Sequence, residues 1–80
     1  MEDRELIKRI GSLADEEREL EEAHVGRGLS ESEDQRKREL EATLDQLWDL
    51  LRQRRALRET GRNPDEAELR PEGTVEGYRQ

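Results

Sequence analysis

Leucine and isoleucine recur every three or four positions in two separate segments of this 80-residue chain. This spacing aligns them along one face of an α-helix, so the chain is expected to form two amphipathic helices. We predict the first helix over residues 3–25 and the second over residues 30–60. The first apolar seam contains Leu6, Ile10, Leu13 and Leu20, and the second contains Leu40, Leu44, Leu47 and Leu51.

The ends of the second helix carry specific signals. Ser30 and Glu33 have the spacing of a capping box, in which each side chain bonds to the other residue's backbone N–H. Gly61 suits the position that follows the last turn of a helix. Asn63 and Pro64 then resemble the cap and first residue of another helix. We therefore predict a short third helix over about residues 64–70, followed by an irregular tail to residue 80.

These elements predict an all-α fold built on an antiparallel two-helix hairpin. The connection between the long helices is short, and short connections join antiparallel neighbours. Strands are disfavoured because β-branched and aromatic residues are scarce, whereas Glu, Arg, Leu and Ala dominate. Residues 1–62 form the predicted hairpin, and residues 63–80 form the third helix and the tail.

The expected register of the hairpin leaves apolar surface uncovered. Ile10 is expected to face Leu44, and Leu6 to face Leu47. Leu50, Leu51 and Leu57 are then expected to lie opposite the extreme N-terminus or beyond it. Either the tail folds back over them or a second copy packs there, and we favour a homodimer with a four-helix arrangement. The predicted interface residues are Leu44, Leu47, Trp48, Leu50, Leu51 and Leu57.

Composition excludes several classes of function. Charged residues make up 46% of the chain, its net charge is -7, and it has no cysteine. No apolar run approaches the ~20 residues of a membrane span, and the first residues lack a signal-peptide pattern, so we expect a cytoplasmic protein that does not enter membranes. No phosphate-binding loop or nucleophile motif occurs, so we expect neither an enzyme nor a cofactor.

One group of residues could in principle hold metal. Glu17, Glu21 and His24 lie near the first apolar seam, and Glu33 faces Glu21 in the expected register. Two hairpins that dimerise around a Glu-x-x-His pattern and an extra Glu can bind two iron ions. Carboxylates are abundant in this chain, however, and solvated ion pairs are the simpler interpretation. We therefore predict no metal site.

A basic block is the stronger candidate for function. Residues 50–62 contain five arginines and one glutamate, a local net charge of +4 in an acidic chain. Arg54, Arg55 and Arg58 continue the leucine seam of the second helix. They could pair within the molecule with acids such as Asp3 and Asp65, or bind an acidic protein or, less consistently with the net charge, a nucleic acid. The residues predicted to bind such an acidic partner are Arg52, Arg54, Arg55 and Arg58.

The second half of the chain resembles a known family. Residues 44–56 read LDQLWDLLRQRRA, and NPDEA at 63–67 and VEGY at 75–78 follow. These runs are similar to those of small actinobacterial proteins grouped as domain of unknown function 2630. The resemblance spans nearly the whole chain. It implies the helical architecture and an actinobacterial source, and it implies no activity or binding residues.

Overall fold

The fold is a helical hairpin with a return segment, seen in a computed structural model that describes residues 2–23, 26–71 and 73. Helix α1 spans Asp3–Ala23 and helix α2 spans Glu31–Glu59. A single 3-10 turn, Pro64–Glu66, follows, and the described residues contain no strand. The all-α hairpin is therefore confirmed. The predicted last two residues of the first helix, 24 and 25, and the tail after residue 73 lie outside the described residues.

Both ends of α2 form as their residues predict. The Glu33 N–H donates to Ser30 Oγ over 3.2 Å and the Ser30 N–H donates to Glu33 Oε1 over 2.9 Å, which completes the capping box. After Glu59 the chain turns through Gly61, whose φ of 77° lies in the left-handed region that glycine favours. The Arg62 N–H donates to the Leu57 carbonyl over 2.8 Å, closing the helix with a Schellman motif.

The core is a small leucine cluster between the two helices. Its members are between 0% and 6% exposed, and Leu13, Trp48 and Leu50 pack against it while partly buried. Buried apolar surface of this kind supplies most of the driving force for pairing the helices. The cluster consists of Leu6, Ile10, Leu44, Leu47 and Leu51.

The expectation that Leu51 is left uncovered in a single chain is wrong. Leu51 is 1% exposed and belongs to the same cluster as Leu6. The physical reason is that the first turns of α1, which carry Leu6, already cover this part of α2. The uncovered apolar surface is therefore smaller than predicted, and it centres on the half-buried Leu50 and Leu57.

The predicted third helix over residues 64–70 is also wrong in length. The 3-10 turn ends at Glu66, and residues 67–70 run back along α2 without helical hydrogen bonds between them. The start matches its signal, since Asn63 Oδ1 accepts from the Asp65 N–H over 3.0 Å. The helix stops because Gln53 takes both backbone groups of Glu68, accepting from its N–H over 3.2 Å and donating to its carbonyl over 2.7 Å. We call residues 67–70 the return segment.

Ion pairs cover the outer faces of the hairpin. Arg36 spans the two helices with a bidentate contact to Glu16, at 2.6 and 2.9 Å, and Arg38 pairs with Asp34 one turn away at 3.0 Å. Exposed pairs of this type contribute little to stability. They do make the helices strongly polar outside the seam, and no described helix is long and apolar enough to cross a membrane.

Leu51→Ala should lower the free energy of unfolding by about 2–5 kcal/mol, because it removes a fully buried side chain and leaves a cavity. Ile7→Ala is the matched control, since Ile7 is 50% exposed and its truncation should cost only about 0.5 kcal/mol. Urea denaturation followed by Trp48 fluorescence measures both. Equal losses in the two variants would contradict the burial of Leu51 within one chain.

Candidate interaction surface

Arg54 and Arg58 of the basic block bind carboxylates of the same chain in one cluster. The Arg54 guanidinium donates to Asp3 Oδ1 over 2.6 Å and to Asp65 Oδ1 over 2.9 Å, and Arg58 donates to Asp3 Oδ2 over 2.8 Å. The Arg54 side chain is only 8% exposed. This cluster, which we call the arginine clasp, joins the start of α1, the end of α2 and the 3-10 turn.

Electrostatics in the arginine clasp favour the charged states of Asp3, Asp65 and Arg54. Hydrogen bonds from Arg58 and then from Arg54 lower the pKa of Asp3 from 3.8 to about 2, against an opposing contribution from burial. Hydrogen bonding to Arg54 lowers the pKa of Asp65. The same bonds, first to Asp3 and then to Asp65, raise the pKa of Arg54. These three groups are therefore charged at neutral pH.

The other arginines of the block differ in their contacts. Arg62 pairs with Glu66 at 2.9 Å. Arg55 is exposed and has no ion pair with a residue that the structure describes, and Arg52 is also exposed. Binding of an acidic protein or a nucleic acid through the whole block stays a prediction. The basic block offers fewer guanidinium groups to such a partner than the sequence suggested, because Arg54 and Arg58 already bind aspartates.

A second buried ion pair was not foreseen from the sequence. Asp49 is fully buried on the side of α2 that faces away from α1, and Arg70 donates to both of its oxygens, with Nε at 2.8 Å from Oδ2. Gln53 donates to the same Oδ2 over 2.8 Å. Hydrogen bonding from Arg70, and then from Gln53, lowers the pKa of Asp49. No local sequence pattern predicts this contact between residues 21 positions apart.

An apolar groove runs beside this pair. Its volume is about 320 Å³, and one wall is Leu69, which is 57% exposed. Leu50 also lines it, and Leu57 lines a neighbouring shallow depression along the same side of α2. Of the predicted interface residues, Leu44, Leu47 and Leu51 are instead buried in the core, and Trp48 packs against it. The groove is lined by Arg9, Thr43, Gln46, Leu47, Leu50 and Leu69.

The candidate metal ligands do not converge. Glu33 is engaged in the capping box, and Glu21 lies 3.7 Å from Lys37 Nζ. Glu17 is buried at 7% exposure, and His24 lies outside the described residues. Among the residues that the structure describes, no three acidic or histidine side chains are arranged to hold a metal ion.

Acid should weaken the protein partly through Asp3. Because folding lowers the pKa of Asp3 from 3.8 to about 2, its stabilisation is complete above pH 3.8 and is lost as the pH falls towards about 2. Asp3→Asn should cost roughly 1–3 kcal/mol at neutral pH and should flatten the dependence of stability on pH across that window. Urea unfolding at a series of pH values measures it, and identical slopes for parent and variant would contradict it.

Asp49 and Arg70 should be strongly coupled. Arg70→Gln leaves a buried carboxylate without its partner, so the return segment should detach and its amide protons should lose protection from exchange. Asp49→Asn should have the same effect, and the double variant should lose no more stability than either single one, a coupling of roughly 0.5–3 kcal/mol. Arg62→Gln is the control, since its pair with Glu66 is exposed. Additive losses would count against the coupling.

Comparison with known proteins places this architecture in a family. The chain is 52% identical over 77 residues to the uncharacterized proteins Rv0898c of Mycobacterium tuberculosis and Mb0922c of Mycobacterium bovis, covering 95% of this chain and 88% of each relative. No solved structure matches it. The model of the family described as protein of unknown function (DUF2630) matches residues 2–80. The sequence resemblance is thus confirmed, and the chain belongs to this family of unknown function.

Proposed function

We propose that the protein is a non-enzymatic interaction module that self-associates through the apolar groove. The observation that carries this proposal is Leu69, which is 57% exposed and forms one wall of a groove also lined by Leu47 and Leu50. Only 29% of the chain is apolar. An exposed leucine beside other leucines contributes little hydrophobic stabilisation to a single chain, but it would stabilise a complex in which a partner covers it. Contiguous exposed apolar surface of this kind is typical of protein interfaces.

The composition of the groove favours a protein partner over a small polar ligand. Its centre is aliphatic, and its rim carries the polar side chains of Arg9, Thr43 and Gln46. An apolar centre with a polar rim is the usual organisation of a protein interface. Arg9 is exposed and has no ion pair with any described residue, so it is available to a carboxylate of the partner.

A second copy of the chain fits these requirements. Each copy offers both an exposed leucine and a groove, so a twofold arrangement can place Leu69 of one chain in the groove of the other. Each copy also carries a net charge of -7, so acidic side chains are plentiful near any contact and can meet Arg9. The internal pairing of Arg54 and Arg58 supports this proposal over polyanion binding, because it removes two cations from the basic block.

Leu69→Gln should weaken self-association at least tenfold, because it removes apolar surface from the centre of the proposed interface. Ile7→Gln is the matched control, since it removes the other large hydrophobic side chain that is at least half exposed among the described residues, and Ile7 does not line the groove. Sedimentation equilibrium over a range of protein concentrations measures the dissociation constant of each variant.

The two variants separate the proposal from a general effect of surface hydrophobicity. A folded parent chain that stays monomeric at high micromolar concentration would refute self-association. Equal weakening by Leu69→Gln and Ile7→Gln would show that the groove is not the contact surface. Circular dichroism of each variant checks that α1 and α2 are intact, as is expected for substitutions at exposed positions.

A further inference from the structure

Ion pairs between α1 and α2 mark the two sides of the hairpin. Glu16 binds Arg36 on one side, and Glu21 lies 3.7 Å from Lys37 Nζ on the other. Positions 16 and 21 are about 140° apart around α1, so the two pairs lie on opposite sides of the apolar seam. Arg9, which lines the groove, is seven positions before Glu16 and shares its side. The Glu21 side of the hairpin therefore lies away from the groove.

The Glu21 side carries an apolar surface of its own. At about 100° per residue, three residues near the open end of the hairpin fall on this side: Ile7 and Gly11 of α1 and Trp48 of α2. Ile7 is 50% exposed, Gly11 is exposed, and Trp48 packs against the core while only partly buried. We call these three residues the Trp48 face. Exposed apolar surface that includes tryptophan is typical of protein interfaces.

Gly11 has no packing role within the described part of the chain. It lies inside α1, where glycine lowers the stability of a helix relative to alanine. Its φ is not in the left-handed region, and a Cβ atom added there would meet nothing within 4 Å. Neither the backbone conformation nor a neighbouring atom therefore calls for glycine. A glycine on an exposed helix face does allow the backbone of another molecule to approach closely.

Unpaired cations surround the Trp48 face at one end of the hairpin. Arg4 lies one turn before Ile7, and Arg55 lies two turns after Trp48. Although the chain has 22 acidic and 15 basic residues, four described cationic side chains have neither an ion pair nor a hydrogen bond, and all are in the first two turns of α1 or the last two of α2. These four are Arg4, Lys8, Arg9 and Arg55.

Charge is distributed unevenly along the hairpin. Residues 10–49 contain 13 acidic and 5 basic residues, a net charge of -8. Residues 2–9 and 50–70 together contain 7 acidic and 9 basic residues, a net charge of +2. An acidic segment of another protein is therefore repelled by the end that holds the connection and attracted to the open end, where the Trp48 face lies.

We propose that the Trp48 face binds an acidic amphipathic helix of another protein. The apolar side of that helix covers Ile7 and Trp48, and its backbone approaches α1 at Gly11. Its carboxylates meet Arg4 and Arg55. A nucleic acid would meet the same cations, but it has no aliphatic side chains to cover Ile7. The face lies on the other side of the hairpin from the groove, so this proposal does not depend on self-association.

Fluorescence titration tests the proposal, because Trp48 is the only tryptophan of the chain. The probe is a synthetic peptide of about 20 residues that has leucine at helical spacing, glutamate and alanine elsewhere, and no aromatic residue. A saturable change in Trp48 emission is expected, and it should be absent with the same peptide carrying lysine in place of glutamate. Ile7→Gln should raise the dissociation constant about tenfold, because it removes apolar contact area. Arg55→Gln should reduce the dependence of binding on salt concentration.

Gly11→Leu separates close approach from general hydrophobicity. It should raise the urea midpoint of unfolding, because leucine favours a helix and meets no neighbouring atom there. It should nevertheless raise the dissociation constant for the acidic peptide about tenfold, because the side chain keeps the partner backbone away from α1. Ser12→Leu is the matched control, since Ser12 is also exposed and lies outside the Trp48 face. Tighter binding with Gly11→Leu than with Ser12→Leu would overturn the proposal.

The remaining outcomes identify other occupants of the face. Leu69→Gln should leave peptide binding unchanged, and a loss of binding would instead place the peptide in the groove. A change in Trp48 emission that follows protein concentration alone, and persists with Leu69→Gln, would assign the face to a second copy. Tighter peptide binding by the double variant Val75→Gln/Tyr78→Gln would assign it to the end of the same chain. Each of these results, an equal response to duplex DNA, or no saturable binding of the peptide would overturn the proposal and leave the sedimentation test of the groove unaffected.

Discussion

The Arg54 guanidinium fixes the geometry on which the rest of the structure depends. It is nearly buried and binds carboxylates from two segments that are distant in sequence, Asp3 at the start of α1 and Asp65 in the 3-10 turn. A buried cation is costly unless its donors are satisfied, so both carboxylates are held in place together. The contact with Asp3 ties the start of α1 to α2 one turn beyond the buried Leu51. The contact with Asp65 directs the chain back along α2 towards Asp49.

Apolar burial and polar contacts stabilise different parts of this molecule. The leucine cluster pairs α1 with α2, but the side of α2 that faces away from α1 holds the return segment mainly through Asp49, Gln53 and Gln46. Net contributions of single hydrogen bonds are about 1 kcal/mol, less than the burial of one leucine. The return segment is therefore expected to open more easily than the hairpin does.

The sequence predicts the features that depend on short-range chemistry. Helical periodicity predicts α1 and α2, the Ser30 capping box and Gly61 predict the ends of α2, and pairing of Arg54 with Asp3 and Asp65 is one of the two alternatives that the basic block allows. The path of the return segment could not be predicted from the sequence. Its residues have reasonable helix propensity, and they are extended only because Gln53 offers Glu68 a better set of hydrogen bonds than another helical turn would. Such contacts join residues 15 or more positions apart, so they produce no periodic pattern in the sequence.

The exposure of Leu69 follows from the way its neighbours are held. In an extended segment successive side chains point to opposite sides, so Leu69 cannot share the direction of the Arg70 side chain. Arg70 is turned towards α2 by Asp49, and the backbone of Glu68 is fixed by Gln53. Leu69 lies between these two fixed points and cannot turn inwards without breaking one of them. The same polar contacts that dock the return segment therefore hold Leu69 beside the groove, and this preorganisation would reduce the entropy lost when a partner covers it.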